Sequence, residues 1–185
     1  MHSLGVLLLI VVQLGAPGLP DSSGVTIVDG GPYRQYAATS FDAGPVIGDI
    51  LNAHLFPAVA AYNGGRYRAA IADLTYVIQR PDYVAPNPRQ AEFMSTAYYL
   101  RGMIYLYHAT GIGRHSLAKS DFESAIKWNS RNHIAYIELS RVYSELGYTT
   151  HAASIVDHLL ALNPSGEIST AAQEELAKLK GKRAN

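Results

Sequence analysis

One spacing recurs along this chain and constrains its fold more than any other feature. Gly65, Ala70, Leu74 and Val77 lie five, four and three residues apart. Gly113, Ala118, Phe122 and Ala125 repeat that spacing, and so do Gly147, Ala152, Val156 and Leu159. The second and third sets are offset by 34 residues, the first and second by 48. Each set has a physical reading as one helix entered through a tight turn. The glycine takes the positive φ that a reversal between antiparallel helices requires. The alanine sits where two helices approach most closely, and the next two apolar residues continue the same face at i+4 and i+7. Upstream of the second and third sets, Tyr98, Gly102 and Tyr105 recur as Tyr136, Ser140 and Tyr143. A small residue flanked by tyrosines again suits a close helix crossing. From about Leu51 onward the apolar period is helical throughout.

A fixed period of 34 residues built on helix pairs resembles the tetratricopeptide repeat family. The stretch Ala135–Pro164 carries the resemblance best: Tyr136, Leu139, Tyr143, Gly147, Ala152 and Pro164 fall where that motif has its characteristic residues. The resemblance implies an all-α fold, a right-handed α-solenoid of antiparallel helix pairs, over residues 49–182. The repeats fall at about 51–84, 95–132 and 133–166. The second carries four extra residues near ATGIGRH, which either lengthen its first helix by one turn or enlarge its turn. The first is degenerate, because Pro57 kinks its first helix or delays its start. Val84–Gln90 is read as a linker. After Asn163-Pro164 stops the third pair, Ser165 or Ser169 can cap a last helix over about 168–181. Its stripe Ile168, Ala172, Leu176 and Leu179 would cover the open end of the stack. The competing reading is an α-bundle of unrelated helices.

Ahead of the repeats, Leu4–Ala16 is apolar apart from Gln13 and shorter than the roughly 20 residues of a transmembrane helix. Its length suits a secretory signal peptide over residues 1–18, cleaved after Gly18, although Met1-His2-Ser3 supplies no basic residue. An uncleaved anchor or a misplaced start is the alternative. Export to the periplasm or beyond is therefore expected, with no stable membrane span once the signal is removed. Residues 19–48 read as a Gly/Pro-rich spacer that can hold one short strand around Val25–Val28.

Composition removes several function classes. Lys+Arg and Asp+Glu are both 15, so no basic excess marks a nucleic-acid binder. With no cysteine, disulfides, thiolate catalysis and cysteine-ligated metals are excluded. None of the seven histidines forms an HExxH pair. His151 and His158, two helical turns apart, do not chelate one metal by themselves. Gly111-Ile112-Gly113 is too short for a phosphate loop, and Ser116 and Ser120 lack a GxSxG setting. Asp73, Asp121, Glu123 and Asp157 read as solvated charges or helix pairs. No catalytic residue, cofactor or metal is expected.

The resemblance implies instead a binding groove lined by the first helix of each pair. On the first repeat this places Tyr62 and Asn63. On the second it places Tyr99, Met103 and Tyr107, and on the third Glu138, Arg141 and Glu145. Exposed aromatics and methionine are typical contact residues. Leu55, Val59 and Leu100 occupy positions where relatives that clamp acidic chaperone tails carry basic and amide groups. An apolar or aromatic peptide, or a flat protein surface, is the expected partner. A self-assembling subunit is the second reading. A small helical enzyme or ligand carrier built on the 13 tyrosines is the third.

Overall fold

A computed structural model describes residues 26–27, 54–79 and 88–183 of the 185-residue chain. Seven helices run in order there: α1 (Phe56–Asn63), α2 (Tyr67–Ile78), α3 (Pro88–Tyr107), α4 (Arg114–Trp128), α5 (His133–Glu145), α6 (Thr149–Ala161) and α7 (Gly166–Arg183). Two two-residue strands, β1 (Thr26–Ile27) and β2 (Ala109–Thr110), pair antiparallel. β1 falls within the stretch around Val25–Val28 where a strand was expected. The signal peptide, most of the spacer, the start of the first repeat at 51–53 and the linker up to 87 lie outside the described residues. Pro88–Gln90, read as linker, instead open α3.

The helices form three hairpins, α1–α2, α3–α4 and α5–α6, each packed on the next, with α7 against α6 and α5. Turn chemistry fixes two of the reversals. Gly65 and Gly147 take φ 70° and 85°. Beyond them, the Arg66 N–H donates to Ala61 O and the Tyr148 N–H to Tyr143 O, both at 2.8 Å. This is one helix C-cap used twice. A Cβ on Gly147 would meet nothing within 4 Å, so its φ, not space, demands glycine. Asn163 (φ 50°) ends α6 in the same left-handed way, just before Pro164.

The middle hairpin departs from the expected pattern. Gly113 is not the left-handed residue; its φ is −81° and it opens α4. Gly111, at φ 107°, takes the positive value instead. The extra residues therefore enlarge the turn and leave α3 to end at Tyr107. Pro57 lies in the first turn of α1, where its missing N–H costs nothing, and a π-helical turn at His54–Leu55 leads directly into it.

The repeated positions form the core. Ala70, Ala118 and Ala152, and Leu74, Phe122 and Val156, are all fully buried. Asn132 caps α5 by accepting from the Ala135 N–H at 3.4 Å and donates Nδ2 to Ser95 Oγ at 2.9 Å. Ser95 in turn donates to Ala125 O at 2.8 Å, which ties α3, α4 and α5 together. Ala172 and Leu179 of α7 are buried in the cluster formed by α5 and α6, so this helix covers the end of the stack.

Gly102 shows how close the α3–α4 crossing is. A Cβ there would lie 2.9 Å from Phe122 Cε1 and 3.2 Å from Asp121 Cβ. Phe122 is itself buried against Tyr99, with ring centroids 6.0 Å apart, so it has little room to retreat. Gly102→Ala should therefore destabilise the fold by about 1–3 kcal/mol despite alanine's better helix propensity. Urea unfolding followed by circular dichroism checks this; a more stable variant would show that the crossing can open.

Candidate functional site

The first helices α3, α5 and α7 lie side by side, and equivalent positions on them carry polar side chains. Tyr107, Arg141 and Glu175 are each 34 residues apart. Glu138, one turn before Arg141, sits at their centre and is only 2% exposed. Its carboxylate accepts the Tyr107 hydroxyl at 2.5 Å and Arg141 Nη1 at 2.6 Å. Arg141 Nη1 also reaches Tyr107 Oη, and Nε reaches Glu175 Oε2, both at 3.4 Å. Lys178 Nζ stands 3.7 Å from the same Glu175 oxygen. A ladder of charge-assisted bonds thus crosses three helices.

The local electrostatics follow from that geometry. Burial, and then the neighbouring Glu138 carboxylate, push the Tyr107 phenol up to about 12, so it stays a hydroxyl donor. Burial alone would pull Arg141 down, but Glu138, Tyr107 and Glu175 more than offset it and hold the guanidinium above its ordinary range. The carboxylates are enclosed, while Tyr107 remains 42% exposed and the Arg141 side chain 22%. Groups fixed in this way are pre-oriented for contact.

The structure thus brings Tyr107, Glu138 and Arg141 together, but it overturns the exposure expected of Tyr62, Tyr99 and Met103. These are 1%, 6% and 3% exposed. Tyr62 stands edge-on to the Tyr67 ring at 5.8 Å, and Tyr99 turns toward Phe122 on α4. For Tyr99 and Met103 the reason is that α3 is the central helix, packed against α2, α4 and α5; Tyr62, on α1, is covered by Tyr67 and His108. Asn63 is half-buried at the end of α1. Glu145 turns back to the start of α4, where His115 Nε2 lies 2.6 Å away and Arg114 Nη2 3.7 Å.

Asp121 also departs from its reading as a solvated charge. It is buried, and both its oxygens accept from Arg101, Nε to Oδ2 and Nη2 to Oδ1 at 2.8 Å each. Arg101 Nη1 continues to Thr75 Oγ1 at 3.1 Å, so the fork braces α2, α3 and α4. Sequence reasoning missed Glu175 and Lys178, although the 34-residue step from Tyr107 through Arg141 points to Glu175. His108 is buried and stacks on Tyr67 at 3.8 Å.

A concavity of about 390 Å³ lies between α4, α5 and α6, lined by Ile126, Tyr136, Leu139 and Ile155 with Glu123, Ser154 and His158. Among the described residues, no group of three His, Asp or Glu side chains is placed to hold a metal ion. No helix among them is long and apolar enough to cross a membrane.

No known protein family matches this sequence, and no curated protein does. Among solved structures, the TPR (tetratricopeptide repeat) domain of Arabidopsis OM64 is similar, with a TM-score of 0.53 and 22% identity. The match covers 70% of this chain and 96% of that one. At that identity the likeness is one of fold: the described chain is an all-α solenoid of TPR-like antiparallel helix pairs, closed by a capping helix.

Proposed function

We propose that the chain is an exported adaptor or scaffold that holds a protein partner along the face formed by α3, α5 and α7, and that it performs no catalysis. The observation that carries this reading is the Tyr107–Glu138–Arg141–Glu175 ladder. Buried carboxylates hold a half-exposed aromatic ring and a guanidinium edge in place, which lowers the entropy lost when a partner seats on them. A tyrosine beside a partly exposed arginine favours an extended segment with an apolar or aromatic side chain and main-chain carbonyls nearby. Export rests on the apolar run Leu4–Ala16; the mass of the mature chain from its native host, expected to begin at Leu19, tests that half.

The binding half is tested with peptides selected from a random display library on the wild-type chain. Tyr107→Ser should weaken the selected peptides by about tenfold or more, the loss typical of a central aromatic contact. Tyr76→Ser, an exposed tyrosine on α2, should leave them unchanged. Equal losses for the two variants, or a library that yields no ligand, would count against this face.

A further inference from the structure

The turn between α3 and α4 holds a feature that helix stacking does not need. The other hairpins reverse in residues 64–66 and 146–148, whereas this one uses residues 108–113 and runs extended at Ala109–Thr110. Extended backbone presents N–H and C=O groups that no helix satisfies. The strand that meets them comes from far away in the sequence: Thr26 pairs with Thr110 and Ile27 with Ala109, antiparallel. Ile27 is half-buried and packs on the core cluster formed by α1–α5. Ala109 is buried, while Ile112 at the tip of the same turn is fully exposed.

A two-residue ladder is far shorter than a strand pair that is stable alone. It is held by a few backbone bonds, one half-buried isoleucine and the tether of residues 28–53. Such a contact sits at the low-stability end of a fold and opens readily. We propose that β2 is a strand-docking site, occupied in cis by the chain's own Thr26–Ile27 segment, which an extended segment of a partner protein displaces.

The register defines the partner's chemistry. Main-chain groups pair with Ala109 and Thr110, and a β-branched apolar side chain takes the place of Ile27 on the core cluster. Because the pairing is antiparallel, a docked strand continued past the Thr26 position runs toward Ile112, so a further apolar residue there gains contact with that exposed side chain. Main-chain pairing supplies affinity and the alternate side chain supplies selectivity, as in other strand-addition sites. The chain's own segment then acts as a tethered competitor. This site stands independently of the Tyr107–Arg141 face.

The chain has no cysteine, so Thr26→Cys with Thr110→Cys gives a single possible disulfide between directly opposed positions. The probe is a fluorescein-labelled peptide of residues 23–29. It should bind the full chain carrying Ile27→Asp at least about tenfold tighter than wild type, because the competing strand is weakened. Ile27→Ala, which keeps an apolar residue in place, should fall between them. The oxidised double-cysteine chain should not bind, and reduction should restore binding. Equal affinity for wild type and both Ile27 variants, no binding to any of them, or binding by the locked chain overturns the proposal. A disulfide that forms only between two chains also overturns it, because β1 would then belong on a neighbour's β2.

Discussion

Asp121→Ala is expected to cost about 3–5 kcal/mol of folding stability, whereas Asp121→Leu combined with Arg101→Met should lie near the wild type or above it. The contrast comes from what each change leaves behind. Removing the carboxylate alone strands a guanidinium whose side chain is only 16% exposed, with the Thr75 hydroxyl and the Tyr98 ring, 5.7 Å away, as its remaining neighbours. Removing both charges strands nothing, and two apolar side chains of similar bulk can fill the space between α3 and α4. The balance of forces at the pair favours this outcome. Burial pushes the Asp121 carboxyl up, and Arg101 offsets that only in part. Burial pulls Arg101 down, and Asp121 more than offsets it. An acid whose native pKa lies above its unfolded one adds stability as the pH falls, so this pair is no acid-labile staple. Its bidentate geometry fixes the register of three helices. Urea titrations of the single and double variants at pH 7 decide the matter; a double variant as unstable as Asp121→Ala would mean that the fork carries net stability.

The parts of the fold that were legible in the sequence are those set by local physics. Ala70, Ala118 and Ala152 recur at one spacing because a helix crossing admits only a small side chain, and all three are buried as that spacing requires. Gly65 and Gly147 announce their turns because few other residues reach their φ values. Gly113 misled for a definite reason. An alignment of repeats counts residues, but an insertion can be absorbed by an extended turn whose backbone is satisfied by a segment more than eighty residues upstream. The binding face was legible in part. Tyr107, Glu138 and Arg141 follow from helical phase on the first helices, whereas the burial of Tyr62, Tyr99 and Met103 depends on which neighbours surround α1 and α3. That is a property of the assembled stack, not of any one repeat. Asp121 was misread for the same reason: its partner is 20 residues away on another helix, and no i,i+4 rule reaches it.

Acid should destabilise this fold through His108, by about 3 kcal/mol between pH 7.5 and 4. The imidazole lies at the end of α3, stacked on Tyr67 with centroids 3.8 Å apart and edge-on to Tyr62 at 6.2 Å. Burial there holds its pKa down, to about 4. The tyrosine faces would attract an imidazolium, but the loss of water outweighs that attraction. Above about pH 7.5 the ring is neutral in both the native and the unfolded chain, and it contributes no pH dependence. As the pH falls, the unfolded chain takes up the proton first, and the native chain does so only near pH 4. Across that window the unfolded state is favoured progressively, and below it the penalty is complete. His108→Phe keeps an aromatic ring between the tyrosines and removes the proton, so it should flatten the curve. Urea unfolding of both chains from pH 7.5 to 4 measures the difference, in which the other histidines and the carboxylates cancel. The wild type should lose about 3 kcal/mol more than the variant. Parallel curves would mean that the His108 proton is accommodated in the folded state, and that the Tyr62–His108–Tyr67 stack admits water.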